Sequence, residues 1–256
     1  MGKIIAFSNQ KGGVGKTTTC VNMAAYLANF GKKTLIIDID PQGNATTGLG
    51  FSKSEIKASI YNAMIEPEDY PVASVALKTQ VENLDLLPAN IDLAGADVEL
   101  VYMKNRESVL KTILEKVKDY YDFILIDCPP SLGLLTINAL VAANSVIVPI
   151  QSEYYAMEGL SQLMNTIKLV IKHLNEKLRI EGVVLTMNDN RAIISRQITG
   201  EIKKFFGKRV FDTVIPRNIR LAEAPSHGVP IMLHDTKCSG AKAYLALTEE
   251  FLARQK

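Results

Sequence analysis

A glycine loop set between a strand-like run and a helix-like run constrains this chain more than any other feature. Residues 9–19 read Asn-Gln-Lys-Gly-Gly-Val-Gly-Lys-Thr-Thr-Thr. The apolar run Lys3-Ile4-Ile5-Ala6-Phe7 precedes the loop, and a helix-forming run from Thr18 to Leu27 follows it. In that order, backbone N–H groups and a helix N-terminus converge into a cradle for phosphate. Gly12, Gly13 and Gly15 let the backbone turn tightly and approach oxygen atoms closely, and Val14 and Thr18 belong to the same cradle. Lys16 is placed to reach the β- and γ-phosphates of a nucleotide, and the Thr17 hydroxyl to ligate Mg²⁺. The loop departs from the ordinary P-loop, which has glycine where this chain has Gln10 and makes no demand for a lysine at Lys11. Lys11 is too far back to share the task of Lys16, so it needs another role.

Two acidic clusters follow apolar runs, at the end of a parallel sheet where ligands bind. Leu35-Ile36-Ile37 ends in Asp38, which can approach the magnesium shell, and Asp40 lies just beyond, placed to orient an attacking water. A turn cap before Pro41 is the competing account of Asp40. Ile124-Leu125-Ile126 ends in Asp127, the Walker B layout in which a carboxylate holds Mg²⁺ directly or through water. Pro129 and Pro130 halt that run, so a structural turn competes there.

These segments resemble one family. Lys-Gly-Gly-Val-Gly-Lys-Thr-Thr is similar to the deviant P-loop of the ParA/MinD superfamily of ATPases. The further segments Asp38-Ile39-Asp40-Pro41-Gln42-Gly43-Asn44, Asp127-Cys128-Pro129-Pro130-Ser131, Pro216-Arg217-Asn218 and Glu223-Ala224-Pro225-Ser226-His227-Gly228 resemble its chromosomal ParA (Soj) type. The resemblance implies that Lys11 crosses a dimer interface to the partner's phosphates and that Asp40 serves hydrolysis. It implies that Asn188 and Pro216 contribute to an adenine pocket, making ATP with Mg²⁺ the cofactor. No Asn-Lys-x-Asp guanine signature is present. It also implies an ATP-bound homodimer that binds non-specific DNA of the nucleoid, with slow hydrolysis stimulated by a ParB-type centromere-binding protein.

Composition agrees with a compact enzyme. The chain has 256 residues, 47% of them hydrophobic, which suits a substantial core and argues against disorder. No apolar run reaches the roughly 20 residues of a membrane span, and the N-terminus lacks a signal-peptide layout, so a cytoplasmic protein without a membrane partner is expected. Cys20, Cys128 and Cys238 form no CxxC pair, which argues against a disulfide framework or a zinc site. Net charge is only +2, but residues 189–256 carry 12 Lys+Arg against 7 Asp+Glu. A basic C-terminal third suits a polyanion-facing surface, and a solvated lysine-rich face explains it as well. No helix-turn-helix, zinc finger or aromatic stacking array occurs, so isolated cations, foremost Arg191, Arg217 and Arg220, are the expected contacts to DNA phosphates.

Apolar runs alternate with helical patterns from end to end, the signature of βαβ units. Strands are expected at 3–8, 33–38, 84–87, 122–127, 144–149, 180–186 and 210–215. Helices are expected at 17–30, 92–100, 105–119, 133–142, 156–174, 194–206 and 239–254, the last capped by Ser239. Residues 50–82 read as helical turns over one sheet edge. The fold expected is α/β, a mostly parallel, doubly wound sheet of about seven or eight strands in one domain spanning 1–256. The function expected is a DNA-partitioning ATPase. A MinD-like membrane-cycling ATPase is the alternative, but the final segment Tyr244–Lys256 suits docking better than lipid, with Glu249 and Glu250 opposed to anionic headgroups. An electron-transfer iron protein would need paired cluster-ligating cysteines. Asp40, Lys16 and Asp127 together argue against a nucleotide-bound scaffold without turnover.

Overall fold

In the computed structural model, which describes residues 2–153, 156–188 and 193–255, strand β1 (Lys3–Phe7) lies inside a seven-stranded sheet, next to its middle strand. The other strands are β2 (Thr34–Asp38), β3 (Leu77–Lys78), β4 (Leu84–Leu87), β5 (Phe123–Asp127), β6 (Ser145–Gln151) and β7 (Arg179–Thr186). Their order is β3-β4-β2-β5-β1-β6-β7, parallel throughout except for the antiparallel edge pair β3–β4. The helices are α1 (Lys16–Asn29), α2 (Asn44–Gly48), α3 (Ile60–Ile65), α4 (Val72–Val75), α5 (Leu93–Glu99), α6 (Val109–Glu115), α7 (Leu134–Ala142), α8 (Ala156–His173), α9 (Ile193–Phe206), α10 (Ile219–Glu223), α11 (Ile231–His234) and α12 (Ser239–Ala253).

The central strands are apolar without a break because both faces are covered. Alternate residues of one strand enter different layers. Ile4 and Ala6 join the layer under α3–α9, while Ile5 and Phe7 join the layer under α1, α2, α11 and α12. On the second side α12 packs along α1, with Tyr244 at 1% exposure and Leu247 and Phe251 fully buried. Truncating either aromatic would cost ~3–5 kcal/mol. The C-terminal helix is therefore docked, and no helix among the described residues is long and apolar enough to cross a membrane.

Topology places the site. From β1 the chain crosses β5's position to reach β2, and from β5 it crosses β1's position to reach β6. The two crossovers run in opposite directions, with α1 on one face and α7 on the other, so the strand order reverses beside β1 and opens a crevice at the carboxyl ends.

Several expected elements differ. No strand forms over 210–215 among the described residues: Phe211 and Ile215 donate to Val183 and Leu185 of β7, but between them the amides of Asp212 and Thr213 are taken by the Glu250 carboxylate of α12 at 2.8 and 2.9 Å. A tertiary acceptor interrupts the ladder, leaving isolated bridges Val183–Val210 and Asn188–Pro216. The edge strand β3 arises instead inside the segment expected to be helical turns, of which 60–65 and 72–75 do form. The helix expected over 105–119 is shorter, 109–115 with a separate turn at 118–120, although Leu110, Ile113, Leu114 and Val117 are buried as the periodicity requires. The cap of α12 is Cys238, whose sulfur accepts from the Ala241 amide at 3.3 Å; Ser239 is the first helical residue and its hydroxyl accepts from Asn218.

Candidate nucleotide site

The loop between β1 and α1 is shaped by its glycines and held by its neighbours. Gly13 and Gly15 have φ of 73° and 81°, the left-handed region that favours glycine. Gly12 shows neither a positive φ nor a close neighbour within the chain. Asn9 pins the loop from both ends of its amide: Nδ2 donates to the Pro149 carbonyl at 2.7 Å, and Oδ1 accepts from the Lys11 amide at 3.0 Å. Thr186, the last residue of β7, donates its hydroxyl to the Val14 carbonyl at 2.8 Å. The site thus draws on five strands, β1, β2, β5, β6 and β7. Gly15 is the N-cap of α1 and supplies no side-chain acceptor, which leaves first-turn N–H groups around Thr17 and Thr18 for an anion.

Lys16, Asp127, Asp38 and Asp40 converge beside that helix end. Asp38 and Asp127 are register partners on β2 and β5, and Asp127 is opposite Phe7 at the mouth of the loop. The Lys16 ammonium donates to the Lys11 carbonyl at 3.3 Å; burial lowers its pKa, opposed by Asp127 and, more weakly, Cys128 and Asp40. Asp127 is fully buried, and neither carboxylate oxygen meets a hydrogen-bond partner among the described residues. Burial, reinforced by Asp38, pushes its pKa well above the carboxylate range; the nearby Thr17 hydroxyl and Lys16 pull the other way without meeting hydrogen-bond geometry to either oxygen. A buried acidic group with two unclaimed oxygens, beside a threonine hydroxyl, is the donor set a hard cation requires.

Asp38 is differently used. Its Oδ2 accepts both the amide and the hydroxyl of Thr46 at 2.8 Å, and Oδ1 accepts the Asp40 amide at 3.2 Å. Burial raises its pKa to about 6 against those three bonds. These bonds make Asp38 the brace of the 40–46 turn. Asp40, 7% exposed, accepts the Gln42 amide at 2.9 Å through Oδ1. Asn9, Thr46 and Thr186 were not legible as site residues, because each acts by bonding to a distant backbone group.

A pocket of about 390 Å³ adjoins the phosphate loop, with Gly15, Thr18, Thr186, Met187, Pro216 and Arg217 in its wall. Pro216 therefore lines it. Asn188 is hydrogen-bonded to the Ile215 carbonyl and bridged to Pro216, and its side-chain oxygen accepts from Ser195 at 2.8 Å, so it supports this wall rather than lining it. A larger groove of about 630 Å³ opens at the amino ends of β2, β4 and β5, around Lys33, Asn83 and Tyr121, far from the glycine loop along the strands.

The remaining cations separate. Lys11 is ion-paired with Glu153 at 2.8 Å, both side chains partly exposed. Arg220 is paired with Glu223 at 2.8 Å and lies 3.8 Å from Asp235, so it is not a free basic contact. Arg217 is exposed and makes no ion pair among the described residues. Arg191 lies outside the described residues.

Comparison with known proteins accords with this geometry. Residues 2–180 match the family model described as AAA domain. The sequence is 58% identical over 253 residues, 99% of either chain, to the sporulation initiation inhibitor protein Soj of Bacillus subtilis (strain 168). It is 51% identical over 254 residues to the chromosome-partitioning ATPase Soj of Treponema pallidum (strain Nichols), covering 99% of this chain and 98% of that one. The chain belongs to the ParA/Soj family. Among solved structures, cobyrinic acid a,c-diamide synthase from Mycobacterium smegmatis with bound ADP and magnesium superposes with a TM-score of 0.87 at 35% identity, covering 100% of this chain and 96% of that one. The ParA/Soj assignment and the docked C-terminal helix disfavour the MinD-like alternative. The buried, unpaired Cys128 disfavours the iron-protein one.

Proposed function

We propose that this chain is an ATP-dependent DNA-partitioning ATPase working as a nucleotide-driven switch. The observation that carries this reading is the division of labour between two lysines of one loop. Lys16 is buried among Asp127 and Asp40, where the phosphates of a bound nucleotide would meet it, while Lys11 is partly exposed and held by Glu153. A second lysine kept outside its own site suits delivery to a partner subunit's phosphates, and with it ATP-dependent dimerisation.

Thr17 and Asp127 would hold Mg²⁺, which supplies charge neutralisation at the phosphates. The N–H groups of the glycine loop and of the first turn of α1 bind the phosphate oxygens, and Lys16 adds charge. Asp40, steadied through Asp38 and Thr46, would orient the water that attacks the γ-phosphorus. The pocket beside Pro216 has the size and mixed lining for the base and ribose.

On the output side, dimerisation would double a sparse set of cations into one surface for DNA phosphates, including Arg217, Arg191 and those of α9. Contacts of that kind bind without reading sequence. A ParB-type partner would accelerate hydrolysis and return the protein to a form without DNA, and the ATP form would be nucleoid-associated. The deciding experiment is binding of the purified protein to random duplex DNA and, in parallel, to anionic liposomes, with ATP, ADP and no nucleotide. ATP-dependent DNA binding without liposome binding is expected. Liposome binding with ATP, or DNA binding indifferent to nucleotide, would overturn the reading.

A further inference from the structure

Helix α5 is apolar on two opposite sides. Its inner side is ordinary: Leu93, Ala96 and Leu100 are fully buried in the core. Its outer side carries Ile91, Ala94, Val98, Val101 and Tyr102, all exposed, with Val98 at 64% and Tyr102 at 86%. The helical course begins before α5, with Leu93 and Ala94 bonded to the carbonyls of Asn90 and Ile91, and runs on into a tight turn over Leu100–Tyr102. At about 100° per residue the five outer residues share an arc roughly 100° wide. A surface helix with one buried stripe normally turns charge outward. Here a contiguous apolar stripe faces outward instead, which marks an interaction surface.

Charge sits at the margins of the stripe. Asp92 and Glu99 flank it on one side and Asp97 on the other; no Lys or Arg occurs between Asn90 and Met103, and the cations Lys104 and Arg106 lie only past the Tyr102 end, where Arg106 donates to the Val101 carbonyl and pairs with Glu107. The three carboxylates accept hydrogen bonds from Asn90, Tyr61 and the Leu135 amide, and form no ion pair among the described residues. An acidic rim opposes nucleic acid and anionic lipid. It also opposes a second copy of the same stripe across a two-fold axis, where like charges would meet. It complements a basic amphipathic helix.

The stripe is wired to the nucleotide site at two points, before its start and midway along its flank. Ala89, just before the helical course, donates its amide to the Thr46 hydroxyl at 2.9 Å, and that hydroxyl donates to Asp38 at 2.8 Å. Asp97 accepts from the amide of Leu135 in the first turn of α7, the helix that follows Asp127 and its two prolines.

We propose that the outer face of α5, from Ile91 to Tyr102, docks a basic amphipathic helix of a partner protein, and that its occupation is relayed through Thr46 and Asp97 to the loops carrying Asp40 and Asp127. The effect on turnover rests on the partitioning reading above, so the probe is the ParB-type protein of the same cell. ATP hydrolysis is measured with and without that protein for the wild type and for Val98→Glu/Tyr102→Glu, together with ATP-dependent dimerisation by light scattering and the thermal midpoint. In the double variant the half-saturating concentration of the partner should rise about tenfold or more, with basal turnover, dimerisation and midpoint unchanged. Asp92→Lys/Glu99→Lys should weaken the response most at low salt. Undiminished stimulation of Val98→Glu/Tyr102→Glu would overturn the docking surface, and loss of the ATP dimer would make the stripe a self-interface and overturn it too. An undiminished response of Asp92→Lys/Glu99→Lys would remove the basic character of the partner. A wild type that the partner does not stimulate would remove the partitioning reading and this inference together, an outcome distinct from any failure confined to the variants.

Discussion

Lys11 and Glu153 close an ion pair 2.8 Å long between the glycine loop and the segment after β6, and the Gln151 amide holds the other carboxylate oxygen of Glu153 at 2.6 Å. Lys11 is thus restrained by a neighbour outside the pocket that holds Lys16. Lys11→Ala should bind ATP nearly as wild type, because Lys16 is untouched, yet fail to form an ATP dimer. Glu153→Gln should do the opposite: an exposed pair is worth ~1 kcal/mol at most, so dimer association should strengthen by about two- to fivefold. Sedimentation equilibrium with a slowly hydrolysed ATP analogue measures both. A Lys11→Ala protein that dimerises normally would remove the cross-subunit role.

On the proposed reading Asp127 gives up stability to keep two carboxylate oxygens for metal. Its pKa in the folded chain is raised by burial and by Asp38, so its contribution to stability is fully present below the ordinary carboxylate range, about pH 4, and is lost as pH rises through the folded value. Asp38, raised to about 6, acts in the same direction. Asp127→Asn should therefore stabilise the nucleotide-free protein by roughly 1–3 kcal/mol at pH 8, with the gain shrinking toward pH 4. It should also abolish the extra stabilisation that ATP with Mg²⁺ gives the wild type and that EDTA removes. Thermal melts across pH, with and without ATP–Mg²⁺, check this, and a gain that is constant with pH would contradict it.

On the proposed mechanism Asp40 orients a water rather than holding the phosphates. Asp40→Ala loses one hydrogen bond, to the Gln42 amide, and should cost only ~1 kcal/mol of stability. Turnover should fall about a hundredfold or more while ATP still binds and the dimer accumulates. Single-turnover hydrolysis and size-exclusion chromatography in ATP separate the two effects; a variant that stays monomeric in ATP would disprove the trapping.

The two arginines after Pro216 should not behave alike. Arg217 is exposed and without an ion pair among the described residues, whereas Arg220 is engaged by Glu223. Arg217→Glu should weaken ATP-dependent DNA binding and reduce the slope of log affinity against log salt by about one per lost phosphate contact. Arg220→Glu should place two carboxylates together and act chiefly on the local fold, seen as a lower thermal midpoint. Equal salt slopes for Arg217→Glu and the wild type would take Arg217 off the DNA surface.

What could be read from the chain alone was local. A phosphate loop is a contiguous stretch, so Gly13, Gly15, Lys16 and Thr17 announce it by spacing, and Asp38 and Asp127 announce themselves by ending apolar strands. The alternation of apolar and helical patterns likewise specified a parallel sheet, because strands covered on both faces cannot show period two. What the tertiary structure decided was which distant groups meet. Glu250 takes the amides that would have continued a strand at 212–213, Thr46 donates both its amide and its hydroxyl to Asp38 Oδ2, and Glu223 neutralises Arg220. Nothing in the order of residues forecasts those pairings, since hydrogen bonds and ion pairs are set by proximity in space between segments that are far apart in sequence. The outward stripe on α5 was hidden for a related reason. A run apolar on both sides reads simply as a buried helix, and only packing shows which side the core has left uncovered.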